Sequence, residues 1–524
     1  MLTNQVARHA RAIIAALLCG MGAAAGAQAA DPALVDAAQH KDSAAAIALI
    51  DKGADVNATA ADGSTALMWA AYNGDRALVQ RLLKARARVD AANAYGANAL
   101  SQAAQLGDVR IIEDLLQAGA NAEAANPDNQ TALMLVARAG NVEAAKLLLK
   151  HGAKVDAREQ FRGQTALIWA AAESQPEMVQ LLLSWHADAN ARSELNQGRR
   201  QVTGEPRVQA RPPGGMTPLL YAAREGCLRC AQYLVEKGHA DLNLGDPDGI
   251  TPLLIATENF HFDLAAWLIK KGADVNRWDW WGRTPLYAAA DLNTLPYGGR
   301  PDHISLDETT SLKLMQLLLD AGANPDAQLK LFPPYRSLGA DRGGDMLLTI
   351  GTTPLARAAR AGDSEAIQLL LAHHADPNLG NNTDVTPLML AAGYGTSPVD
   401  TRGRYRTEDQ ALVAVDALIK GGADVNAPAV MGATALHGAA GVGYDLVVKA
   451  LAAHGARLDA KDAQGLTPAD YAMGKTAFGR GSPTVHQGTA DLIHQMLADA
   501  HQGQMPGKTP PTAAIAPARA PAIR

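Results

Sequence analysis

Two cysteines, Cys227 and Cys230, stand three residues apart as Cys-Leu-Arg-Cys, and they are the side chains best suited to covalent chemistry. At a helix start this spacing suits either a disulfide or a thiol pair whose first thiolate the helix end stabilises. Three outcomes stay open on the residues alone: a structural disulfide, two free core thiols, or a redox or metal role. No His follows Cys230, which disfavours covalent haem attachment. One Cys-x-x-Cys without a second pair is a weak zinc signal. The fourteen histidines offer no ligand set, since His486, His494 and His501 are not spaced i, i+4. A nucleophile–base pair, a phosphate-cradling glycine loop and an HExxH motif are all missing. No catalytic residue, metal or cofactor is expected.

The elements that carry these residues are read from a repeat. TALMWAA begins at Thr65, NALSQAA at Asn98, TALMLVA at Thr131 and TALIWAA at Thr165. Related heptads begin at Thr217, Thr251, Thr284, Thr353, Thr386, Thr434 and, in decayed form, Thr467, and a degenerate opening unit covers 32–63. Thr is a good N-cap, and Pro after it is favoured just inside a helix start. Paired alanines let neighbouring helices approach closely. A second helix follows with apolar residues at helical spacing, as in Val179, Leu181, Leu182 and Leu183. Gly then supplies the left-handed cap, and Asp, Asn and Gly favour a tight turn before the next Thr. Arg86, His186 and His374 stand where the capping Gly belongs. Their units are expected to be locally weaker, because a side chain strains that conformation.

Each unit leaves an apolar face that only a neighbour can cover, so the expected architecture is an all-α solenoid of about twelve helix–turn–helix units. With aromatics at only 4%, the composition also favours a repeat array over one large compact core. Over residues 32 to about 500 the pattern closely resembles the ankyrin repeat family. That resemblance implies projecting β-turn fingers, and partner contacts from the finger tips and the ends of the first helices. It also places His437 in the family's first-helix His slot, where the ring bonds locally.

Mapped onto this chain, the contact-making slots fall on Trp278, Trp280 and Trp281, in the finger Asn276-Arg277-Trp278-Asp279-Trp280-Trp281-Gly282. Asp279 and Gly282 take the turn-forming positions. Tryptophan is enriched at binding hot spots, so a protein partner is one reading. The other is that insertions fold over the rings and bury them. Insertions break the period at 192–214, 292–308, 329–351 and 393–407. The first holds Arg192, Arg199, Arg200, Arg207 and Arg211, and a solvated coil explains it as well as a function does. The others cluster around the tryptophans and bring Tyr335, Arg336, Tyr394 and Tyr405, residue types common at interfaces. Pro333 to Arg336 and Arg342 to Asp345 also resemble a group of secreted bacterial ankyrin proteins with inter-repeat insertions, which bears on fold and export rather than on mechanism.

Residues 1–29 read as a signal peptide. Arg8 and Arg11 precede the apolar run 12–25, and Ala27-Gln28-Ala29 supplies small residues for cleavage after Ala29. A lipoprotein reading at Cys19 competes, although Leu18 is bulky for a lipobox. The array is expected over 30–504, followed by a Pro- and Ala-rich disordered tail at 505–524. A net charge of −6 gives no basic field for nucleic acid, and no apolar run after the N-terminus is long enough to span a membrane. The expectation is a monomeric, non-catalytic scaffold of the periplasm or outside the cell that binds a protein partner through its fingers and concave face. Two alternatives stay open: a small-molecule or enzyme-like pocket built by the insertions, and a redox-responsive envelope factor using Cys227 and Cys230.

Overall fold

The computed structural model describes residues 32–195, 214–294, 305–331, 347–395, 407–475 and 484–501. The segment 1–29 with Cys19, the tail 505–524, and the larger part of all four insertions lie outside the described residues, as do Tyr335, Arg336 and Tyr405. The chain divides after Pro127 into two compact units.

The first unit holds three helix pairs: α1 (Ala33–Gln39) with α2 (Ser43–Asp51), α3 (Ala66–Asn73) with α4 (Arg76–Lys84), and α5 (Ala99–Leu106) with α6 (Val109–Gln117). The second unit begins with α7 (Ala132–Ala139) and α8 (Val142–Lys150), α9 (Ala166–Ala172) and α10 (Pro176–Ser184), and α11 (Pro218–Glu225) and α12 (Leu228–Glu236). It continues with α13 (Pro252–Glu258) and α14 (Phe262–Lys270), α15 (Pro285–Asn293) and α16 (Ser311–Asp320), and α17 (Pro354–Ala361) and α18 (Ser364–Ala372). It ends with α19 (Pro387–Ala391) and α20 (Glu408–Lys420), α21 (Ala435–Val442) and α22 (Asp445–Ala453), and α23 (Pro468–Ala472) and α24 (Gln487–His501). Within each unit, a first helix packs on its own second helix and on the first helix of the next pair, while second helices pack on second helices. The all-α repeat architecture expected from the sequence is the one observed.

Local chemistry explains the regularity. The Oγ1 of Thr65 accepts the Met68 N–H at 3.2 Å, and Thr131, Thr165, Thr217, Thr251, Thr284, Thr353 and Thr386 cap their helices in the same way. Satisfying an otherwise orphaned N–H fixes where each helix begins. The alanine pairs Ala70–Ala71, Ala170–Ala171, Ala222–Ala223 and Ala439–Ala440 are fully buried, so neighbouring first helices meet with almost no side-chain bulk between them. At the end of α14, Gly272 has φ +89° and no atom stands near where a Cβ would lie. That glycine is required by backbone conformation rather than by space. Arg86, His186 and His374 occupy the equivalent slot with φ of +65°, +62° and +66°.

Several fingers are tight turns closed by an acidic or amide side chain. Oδ1 of Asn93 accepts the N–H groups of Tyr95 and Ala97, and Asn381 and Asp462 do the same in their own fingers. One backbone hydrogen bond then ties a finger to its predecessor, as from Trp280 N to Asp248 O at 2.7 Å and from Lys330 N to Trp281 O at 2.9 Å.

The insertions are grafted onto this frame without breaking it. In two fingers the tip is replaced while the neck bonds persist, from Ser193 N to Met216 O at 3.0 Å and from Leu329 N to Thr352 O at 3.1 Å. Arg192 is structural at one neck, donating to the carbonyls of Gly215 and Gly245 at 2.8 Å each. The solvated-coil reading therefore does not hold for Arg192. The insertion between α15 and α16 returns onto the start of α14. There Asp263 accepts the N–H groups of Glu308 and Thr309, Asp307 accepts that of Asp263, and the Ser305 hydroxyl donates to the Phe260 carbonyl. Burial works to raise the Asp263 pKa, but the bonds from Thr309 and Glu308 outweigh it and leave the carboxylate below its usual range.

Candidate functional site

The tryptophan finger presents two of its three rings to solvent. Trp278 is 48% exposed and Trp280 is 62% exposed, whereas Trp281 is half-buried. The Lys330 ammonium lies 3.0 Å from the Trp278 ring centroid, and the Arg283 guanidinium carbon lies 5.2 Å from that of Trp281. Both cations sit where ring faces attract positive charge.

Beneath the rings lies a buried charge cluster. Asp279 Oδ1 accepts the N–H groups of Trp281 at 3.0 Å and Arg283 at 2.9 Å, which closes the turn. Asp279 Oδ2 pairs with the guanidinium of Arg283, with Nε at 2.7 Å and Nη2 at 2.6 Å. Nη1 of Arg283 pairs with Glu258, the last residue of α13. Burial pushes the Asp279 carboxyl up, with Arg283 pulling against it. For Arg283 burial acts downward, but Glu258 and Asp279 prevail and hold the guanidinium charged. A buried cation shared by two carboxylates on two different elements fixes the finger rigidly to the helix beside it. Lys330 and Leu331 donate their N–H groups to the Trp281 carbonyl, so the following finger covers that side.

Other finger tips in the second unit carry exposed apolar residues: Phe161, Val430 and Met431. Val430 and Met431 occupy the slots that Trp280 and Trp281 hold in their own turn, and the sequence reading missed them. The available signal was an apolar residue just before the turn glycine, where Asp248 and Gln464 stand in other repeats.

Tyr394 corrects an expectation. The sequence places it among partner-contacting residues, but it is only 2% exposed. Its backbone lies against Gly438, where any side chain would clash, and its carbonyl accepts Nη1 of Arg360 at 3.0 Å. Burial, with Asp462 nearby, pushes its phenol up to about 12. Arg357 was also missed. It fills, fully buried, the slot that Trp69, Trp169 and Tyr221 hold in sister repeats, and its Nε pairs with Asp291 near the root of an insertion. His437 bonds locally as expected, through Thr434 and the Leu466 carbonyl, and burial lowers its pKa.

Cys227 and Cys230 are joined as a disulfide, with Cys227 half-buried at the start of α12 and Cys230 fully buried. Among the described residues no group of three or more His, Cys, Asp or Glu side chains is placed to hold a metal ion. No described helix is long and apolar enough to cross a membrane.

Comparison with known proteins agrees with the geometry. A family profile described as ankyrin repeats (3 copies) matches residues 34–126, 100–193, 203–279, 219–329 and 303–399, and a single ankyrin repeat profile matches 431–463. No curated protein matches the chain significantly. With its capped helix pairs, its linked fingers and these matches over most of its length, the chain belongs to the ankyrin repeat family.

Proposed function

We propose that this chain is a non-catalytic protein-interaction scaffold, exported to the cell envelope, that binds a protein partner through its fingers. Ankyrin repeats generally mediate protein–protein interaction. The observation that carries the reading is the exposure of Trp278 and Trp280 on a turn immobilised by Asp279, Arg283 and Glu258. Large exposed rings are unfavourable in water unless something covers them. Rings held on a rigid base lose little conformational freedom when a partner docks, so more of the contact energy appears as affinity. The exposed Phe161, Val430 and Met431 extend the apolar character to other fingers of the second unit. The signal-like segment 1–29 supports export.

Affinity capture from an envelope fraction, with the full chain and a Trp278→Ala/Trp280→Ala double variant as parallel baits, tests this reading. A specific protein retained by the wild type and lost by the double variant supports it. Identical captures by two folded baits overturn the assignment to this finger.

A further inference from the structure

The cap of α12 differs from those of its sisters. In five other repeats the residue before the second helix is Asp or Asn, and its side-chain oxygen accepts the N–H three residues on. Asp42 does so from Ala45, Asp75 from Leu78, Asp108 from Ile111, Asn141 from Ala144 and Asp363 from Ala366. In α12 that residue is Cys227, whose Sγ accepts the Cys230 N–H at 3.2 Å. The slot favours a negatively charged acceptor, because unpaired N–H groups and the positive end of the helix dipole converge on it. A thiolate at Cys227 fills it as a carboxylate does elsewhere.

The second sulfur has the opposite environment. Cys230 is fully buried, in the slot that sister repeats fill with Leu78, Ile111 and Ala144. A thiol in apolar surroundings stays protonated and out of reach of a reagent in solution. The pair is therefore asymmetric, with one half-buried cysteine at a helix start, where a thiolate would be favoured, and one fully buried cysteine beside it. Arg224 and Arg229 flank the pair, in ion pairs with Glu225 and Glu177, and the His261 ring packs on the Gly226 backbone.

We propose that Cys227 and Cys230 form a thiol–disulfide exchange centre for low-molecular-weight thiols and their disulfides, with Cys227 the exchanging sulfur and Cys230 the resolving one. In the reducing direction a thiolate attacks Cys227 Sγ. The mixed disulfide forms as the Cys227–Cys230 bond breaks, and Cys230 leaves with the electron pair and takes up a proton. A second thiolate attacks the outer sulfur of the mixed disulfide. It departs as the small-molecule disulfide and leaves Cys227 as a thiolate capping α12. Two electrons pass from two external thiols to the protein pair, and the reverse sequence oxidises the pair with an external disulfide. This proposal is independent of partner binding at the tryptophan finger.

The test uses the full chain, glutathione and glutathione disulfide at pH 7, acid quenching, and peptide mapping that reads each cysteine separately. In Cys230→Ser, the native chain is expected to trap glutathione on Cys227 about tenfold faster than the same variant unfolded in urea, as an activated thiolate requires. Cys230→Ala, which keeps that position apolar, serves as a second trap. In Cys227→Ser, Cys230 should stay unmodified until the chain unfolds. The wild-type pair should equilibrate with glutathione while circular dichroism remains native. The proposal is overturned if native Cys227 reacts no faster than in the unfolded chain, if Cys230 proves the more reactive sulfur, or if the disulfide yields only on unfolding.

Discussion

Arg283 binds the Asp279 carboxylate through two nitrogens, at 2.7 and 2.6 Å, while its guanidinium carbon stands 5.2 Å from the Trp281 ring centroid. One side chain thus joins the turn, the ring it presents and, through Glu258, the preceding helix. Arg283→Ala strips the cation from two buried carboxylates and is expected to destabilise the fold by about 3 kcal/mol or more. The sign of its pH dependence is fixed. Without Arg283 the buried Asp279 is raised further above its unfolded value, so the stability it contributes is greatest in acid and falls as pH rises. The penalty of Arg283→Ala should therefore shrink on acidification. Denaturant melts of both proteins at pH 5 and pH 8 check this, and a pH-independent penalty would mean that Asp279 carries no uncompensated charge.

Asp246 makes a second electrostatic prediction. Burial pushes its carboxyl up to about 6, while the Ile250 N–H it accepts at 2.9 Å works in the other direction. A folded value above the unfolded one means that the native state binds the proton more tightly. The stability from this group is complete below about 3.8 and is lost as pH rises to about 6. Asn should serve better in neutral buffer, since Asn93 and Asn381 already close sister fingers with the same bonds. Asp246→Asn is expected to stabilise the protein at pH 7.5 by about 1 kcal/mol after solvent screening, and to flatten the slope between pH 4 and 6. Asp470, lowered to about 2 by its bonds to Thr467 and Lys475, contributes the opposite slope, retained above about 3.8 and lost toward about 2. A neutral-pH loss of stability in Asp246→Asn would contradict this reading.

The left-handed caps give a third. Arg86→Gly, His186→Gly and His374→Gly relieve a strained φ at exposed positions. Each should raise stability, by up to about 1 kcal/mol, because the left-handed penalty outweighs the extra chain entropy of glycine. Gly272→Ala should lose a similar amount, although nothing obstructs the new methyl group. Thermal melts of the four variants decide it, and a stabilising Gly272→Ala would remove the argument.

Export is checked by intact mass. The chain recovered from an envelope fraction is expected to begin at or beside Ala30, as small residues at Ala27 and Ala29 favour. A full-length cytoplasmic chain would end this reading, and lipid on Cys19 would replace it with the lipoprotein one.

Helix starts, left-handed caps and finger turns were legible in the sequence because each depends on residues within a few positions, such as Thr65 with Met68 or Asp279 with Gly282. The side chains placed by distant contacts were not. Tyr394 looked like an interface residue, yet it is buried because Gly438 leaves room for its backbone and Arg360 holds its carbonyl. Arg357 is a charge buried at the heptad position of Trp69 and Tyr221, and its Asp291 partner lies 66 residues away in sequence. Arg192 bonds to Gly215 and Gly245, across an insertion and a finger, and no local pattern encodes that.

The most direct measurement of the central claim is the affinity of the captured partner for Trp280→Ala, set beside that variant's melting temperature. Trp280 is 62% exposed, so most of its side chain lies outside the core. The expected result is a loss of about 2 kcal/mol or more in binding free energy, roughly thirtyfold in Kd, with the melting temperature nearly unchanged. Unchanged affinity together with a lowered melting temperature would contradict the account and leave the tryptophan finger a structural clamp.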